Sequence, residues 1–254
     1  MRHLALALAV AIVTVGTSTV HAADETQHIS RTVALEPGGT VRLKSFSGRV
    51  TITATDRRDV AIEAVRRAPR ERLDAITLDI RTLGPNLVTI DANHRDSFWY
   101  ELTGHNNVVE TDFDVQVPRR TNLDVSVFSA PVTIGGVDGV QKIHSFSSRL
   151  ELNDAAGSIQ AHSFSGPIAI RERSWQPNQR IDVHTFSGDV ELQLPASAQA
   201  DVRFNSFSGH LNSALPLTLS SSSRRAVRAR LGSDGAGAGE LKFRTFSGSV
   251  KIDR

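Results

Sequence analysis

Three histidines, His144, His162 and His184, stand 18 and 22 residues apart, each two residues ahead of a phenylalanine in a recurring tag. Imidazole is a common metal ligand, and two such rings about 5 Å apart can share an ion. The same offset in the other tags holds Lys44, Ser126, Asn205 and Arg244, which have no ligand chemistry in common. The pattern therefore favours a solvent-facing column, with a cation site as the weaker reading. The serine after each phenylalanine could be mistaken for an array of nucleophiles. No Gly-x-Ser-x-Gly elbow is present, and no acid or base is tied to one particular serine. These serines read as corner residues that bond backbone. Asp182, Asp189 and Glu191 cluster around one repeat, and Asp112 and Asp114 flank Phe113. Paired acids of this kind do acid–base work in glycoside-cleaving enzymes, but on alternating strands these positions mostly face water. No catalytic residue is assigned, and no cofactor is expected.

The remaining candidates are for binding. Arginine supplies 25 of the positive charges and lysine four. Two clusters stand out, Arg66, Arg67, Arg70, Arg72 and Arg224, Arg225, Arg228, Arg230, both expected in excursions from the main repeat. Guanidinium suits phosphate or carboxylate, so an anionic envelope polymer would fit them, against the plainer reading of solvated loops. Phe98-Trp99-Tyr100, with His94 and His105 nearby, is the densest aromatic group. Trp99 and Tyr100 could stack on a partner, although a plug for the end of a core is favoured. Trp175 on a loop is similarly placed.

The elements that must position these residues follow from the tag itself. Ser-Phe-Ser-Gly or a close variant surrounds Phe46, Phe128, Phe146, Phe164, Phe186, Phe207 and Phe246, with intervals of 82, 18, 18, 22, 21 and 39. The short intervals define a repeat of about 20 residues; 39 reads as two turns with one tag lost, and 82 as about four. Apolar residues fall five and three positions before the phenylalanine, as in Val41 and Leu43, and four and six after it, as in Val50 and Ile52. Each side alternates like a half-buried strand, but the phase switches across the tag. A bend there resolves the switch, and glycine at its end suits a bend. The expected fold is all-β: a parallel β-solenoid of about 20-residue coils, some 35–50 Å long at about 4.8 Å per coil. The phenylalanines are expected to form an internal stack at one corner, with the serines as a hydroxyl ladder beside them. An antiparallel sandwich is the competing arrangement.

Residues 1–22 read as a secretory signal peptide, with a basic start, an apolar run from Leu4 to Val15, and Val20-His21-Ala22 before the cut. That run is too short to span a bilayer. Residues 23–118 form a less regular N-terminal β region, either a cap or untagged coils, and 119–254 carry the tagged repeat. The absence of cysteine removes disulfides and thiolate sites. A formal charge of +2 gives no bulk argument for nucleic acid.

Three stretches carry a family resemblance: the run from Val41 to Glu63, Phe113 to Leu123 with its Val-Pro strand end, and the Gly-rich Leu231–Gly239 with the following Lys242–Ile252. Together they resemble the bacterial DUF4097 family of adhesin-like proteins, over roughly residues 30–254. The resemblance implies a β-solenoid of the cell envelope, and the signal peptide implies export to the periplasm, the cell surface or the outside of the cell. It implies no catalytic residues. The expected function is that of a non-catalytic adhesin-like or scaffold protein, whose partner is an envelope polymer or envelope protein. A carbohydrate-active β-helix enzyme and a periplasmic accessory to envelope-stress sensing are the alternatives.

Overall fold

A computed structural model describes residues 24–95, 108–232 and 238–254. The proposed signal peptide, and Trp99 and Tyr100 with Phe98 and His105, lie outside the described residues.

The fold is all-β. In chain order the elements begin β1 (Glu25–Ala34), β2 (Thr40–Ser47), β3 (Val50–Thr55), β4 (Asp59–Ala68), a short helix α1 (Arg70–Ala75), β5 (Ile76–Thr82), β6 (Leu87–Arg95) and β7 (Glu110–Pro118). Then come the tagged pairs β8 (Asn122–Ser129) with β9 (Val132–Gly135), β10 (Gln141–Ser147) with β11 (Leu150–Ala155), β12 (Ile159–Ser165) with β13 (Ile168–Glu172), and β14 (Arg180–Ser187) with β15 (Val190–Gln193). The chain continues as β16 (Ala200–Ser206), β17 (Leu211–Ser213), β18 (Leu217–Ser222), β19 (Ala226–Leu231), β20 (Gly239–Thr245) and β21 (Val250–Asp253). They form two open sheets. One runs β1-β4-β7-β3-β9-β11-β13-β15-β21-β17, and the other β18-β19-β16-β20-β14-β12-β10-β8-β2-β6-β5.

The alternation read from the sequence is what seals the core between them. Val41 and Leu43 before the first corner, and Val50 and Ile52 after it, are fully buried. Equivalent positions pair in parallel down both sheets: Leu123 with Gln141, Ile159 and Ile181 in one, and Val132 with Leu150, Ile168 and Val190 in the other. At the bend, Gly166 holds φ +119, and a Cβ on Gly188 would sit 2.1 Å from the Gly166 carbonyl oxygen. Neighbouring corners touch backbone to backbone, which is the reason glycine recurs there.

The sheets are nevertheless mixed, and three expectations are corrected. The interval of 82 does not hold four coils, because β2 and β3 pair directly with β8 and β9. Of the residues between them, β6 and β7 add in parallel to β2 and β3 as one further layer, β5 lies antiparallel outside β6, and β4 lies antiparallel outside β7, with the earlier β1 antiparallel beyond it. The interval of 39 is not two turns: β18 and β19 form an antiparallel hairpin outside β16. Finally, spatial order departs from chain order, since β20 lies between β14 and β16, and β21 between β15 and β17. Alternation reports which side of a strand is buried, not which neighbour it takes, so none of this could be read from period alone.

Candidate functional site

The internal phenylalanine stack is overturned. The seven tag phenylalanines are 40–51% exposed and stand on the outer face of the 11-stranded sheet. The inward position at each corner belongs to the residue just before: Ser45, Val127, Ser145, Ser163, Thr185, Ser206 and Thr245 are all buried. The reason is strand geometry. Side chains five, three and one before the phenylalanine point inward together, so the phenylalanine faces out with the position two before it. The phase switch comes one residue later than the sequence reading placed it. The hydroxyls that bond at the corner are mainly the buried ones: Ser45 and Ser163 donate to the carbonyls of Ser47 and Ser165, and Thr245 to that of Gly248.

The rings form one outer ladder in the order Phe46, Phe128, Phe146, Phe164, Phe186, Phe246, Phe207. Successive centroids are 4.6–5.0 Å apart, with interplanar angles of 0–11°. Such spacing spends the ring faces on one another and leaves the edges for solvent. The guanidinium carbon of Arg225 lies 4.4 Å from the Phe207 centroid and caps the free face at that end. Beside the ladder runs a trough of about 830 Å³, bounded on its far side by Lys44, Ser126, His144, His162, His184 and Arg244.

The histidine column stands where the spacing placed it, His144 beside His162 beside His184 in register. Ring centroids are 5.1 and 4.7 Å apart, and His162 and His184 lie face to face within 23°. His184 Nε2 is 3.0 Å from Asp182 Oδ1, and the Arg244 guanidinium is 3.1 Å from the same ring nitrogen. Partial burial holds the His162 and His184 imidazoles below their ordinary range; neighbouring imidazoles add to this at His162, and Arg244 at His184, where Asp182 partly opposes it. Among the described residues no group of three or more His, Asp or Glu converges as a cation site.

The candidate acids separate. Asp182 lies on β14 and takes Lys242 at 3.4 Å, whereas Glu191 lies on β15 in the other sheet, 3.8 Å from Lys251. Asp189 accepts the Ser249 backbone N–H at 2.9 Å, and Asp112 takes Arg67 at 2.7 Å. The first arginine cluster also disperses. Arg66 is buried in β4, where it donates to Gln27 Oε1 at 2.7 Å and to the Ile76 carbonyl, and burial lowers its pKa. Arg70 and Arg72 sit on α1, Arg72 donating to the Val108 carbonyl at 3.2 Å. In the second cluster Arg224, Arg225 and Arg228 are exposed on the β18–β19 hairpin, while Arg230 pairs with Asp201 at 3.1 Å. Trp175 packs on the core and donates Nε1–H to the Gln199 carbonyl at 2.9 Å, so it is no open platform.

Among the described residues no helix is long and apolar enough to cross a membrane. No curated protein matches the sequence significantly. The fold is similar to that of a provisionally named cell adhesion protein from Clostridium sporogenes, at 9% identity and TM-score 0.54, covering 89% of this chain and 99% of that one. A provisionally named adhesin from Bacteroides fragilis aligns at 10% identity and TM-score 0.31, covering 89% and 97%. The family profile described as Toastrack DUF4097 matches residues 122–253, more than half of the sequence, and the chain belongs to the DUF4097 family.

Proposed function

We propose that this is an exported, adhesin-like or scaffolding protein of the cell envelope that works by binding and not by turnover. On this reading the tagged strand pairs are successive coils of a β-solenoid, and residues 1–22 direct export. The observation that carries the proposal is the seven-ring ladder. A continuous apolar ridge left about half in water is a feature that interaction surfaces share and that isolated exposed residues do not. Because the ridge offers ring edges, it suits an apolar or aromatic protein surface better than a pyranose, which stacks on a ring face. The favoured partner is therefore an envelope protein, with the charged and imidazole column of the trough setting its polar side.

The test is co-sedimentation of purified protein with intact cells and isolated envelope fractions at low and high salt. Binding that persists at high salt and falls about tenfold in a Phe164→Ser/Phe186→Ser variant supports the ladder; the variant's circular dichroism is checked first. Undiminished binding by that variant, or no binding of the wild type to any fraction, removes this reading.

A further inference from the structure

Two Arg-Arg pairs lie far apart in sequence, Arg57-Arg58 after β3 and Arg119-Arg120 after β7. The fold brings them together. Strands β3 and β7 run parallel in register, Val50 opposite Phe113 through to Thr55 opposite Pro118, so the turns that follow both strands leave the sheet side by side. They open onto a hollow of about 270 Å³ whose apolar wall includes Leu35, Pro37 and Pro118. This lies at the opposite end of β3 from the Phe46 corner, away from the aromatic ladder.

The electrostatics of the hollow are one-sided. Four guanidiniums line it against one carboxylate, Asp56. Arg57 is held by Asp59 at 2.7 Å and Arg119 by Asp56 at 3.1 Å, in both cases through Nε. Arg58 and Arg120 are exposed and have no hydrogen-bonding or ion-pair partner among the described residues. Further along the same edge Asp138 and Asp154 share one arginine, Arg173, at 2.5 and 3.0 Å, which leaves a single carboxylate charge there against the excess of the hollow. Guanidiniums oriented by carboxylates are pre-organised for bidentate contact with an oxyanion, and with Asp56 and Asp59 each pairing one arginine, the two charges left on Arg58 and Arg120 call for more than one negative charge in return.

We propose that this hollow binds a phosphate group, a phosphomonoester or pyrophosphate, carried by a component of the envelope. It gives the protein a second, electrostatic foothold and does not depend on the ladder.

The experiment is titration of the purified protein with pyrophosphate by calorimetry, at low ionic strength and with chloride as the control anion. The expected result is saturable binding with one site per chain, weakened at least about tenfold by Arg58→Ala/Arg120→Ala. Asp56→Asn, which removes the opposing carboxylate, tightens it a few-fold. Binding that the double variant leaves unchanged, or no binding by the wild type, overturns the proposal. Displacement by phosphatidic acid vesicles would place the phosphate in a lipid headgroup, and displacement by a soluble sugar phosphate alone would place it in an envelope glycopolymer. The Phe164→Ser/Phe186→Ser variant keeps pyrophosphate binding, so failure of one reading leaves the other standing.

Discussion

Each interior phenylalanine of the ladder stacks on two others, and stacked aromatic pairs contribute about 0.5–1.5 kcal/mol apiece. Phe164→Ala is therefore expected to cost about 1–3 kcal/mol in urea unfolding, below the 3–5 kcal/mol of a fully buried phenylalanine. A loss at the buried level would mean that the ring is not half in solvent. Glu172 presents the opposite case. It ends β13 on an inward position, accepts the Gln179 side-chain N–H at 3.0 Å, and burial raises its pKa to about 7. Between about pH 4.5 and 7 the folded chain then holds more protons than the unfolded one, so this group makes stability fall as pH rises, by up to about 3 kcal/mol. Glu172→Gln keeps an acceptor for Gln179 without the charge. It is expected to gain stability over wild type at pH 8 and to lose that advantage at pH 5. The readout is the difference between the two proteins at each pH, because the lowered pKa of His162 and His184 gives the common background a slope of the opposite sign. An advantage that does not change with pH would show that Glu172 is not the titrating group.

At the scale of the strand, the two halves of each tagged unit were legible because burial there has a strict period of two. Val41, Leu43, Val50 and Ile52 are inside as the pattern requires. The same rule, carried two residues further, would have placed Ser145 inside and Phe146 outside. It was overridden by the general preference of phenylalanine for cores, and the outward ladder was missed for that reason. The neighbours of β20 were not legible at all, since β14 and β16 present the same inward phase to it: Phe243 lies opposite Val183 on one side and Phe204 on the other. Phe243 is fully buried. Phe243→Ala should cost about 3–5 kcal/mol by the same urea measurement, well beyond Phe164→Ala. Comparable losses for the two would contradict the contrast between core and ladder.

Across the whole molecule, the two sheets are stitched at alternate corners with different chemistry. One long edge carries aromatic rings and buried hydroxyls, the other carries arginines and carboxylates in varying balance, and close glycine contacts occur at both. The sequence made the first edge conspicuous, because its tag recurs seven times. It hid the second: Arg57-Arg58 and Arg119-Arg120 belong to no repeat, and only the parallel register of β3 and β7 makes them neighbours. The histidine column was legible in position, since it is keyed to the tag, but its ring stacking and its Asp182 and Arg244 contacts depend on three-dimensional neighbours. The chain thus advertises its architecture through repetition, and carries its most distinctive charge grouping where repetition lapses.

The placement of β20 and β21 also sets an order in time. Residues 239–253 are synthesised after 200–213, yet they occupy the space between those residues and 180–193. Before residues 239–253 dock, β14 and β16 have matching edges and no spacer between them, and can zip to one another. The native arrangement is reached only when that premature closure is avoided or reopened for the late arrival. A chain stopped short of residue 239 would accordingly lack the rung next to its end and keep the end rung itself.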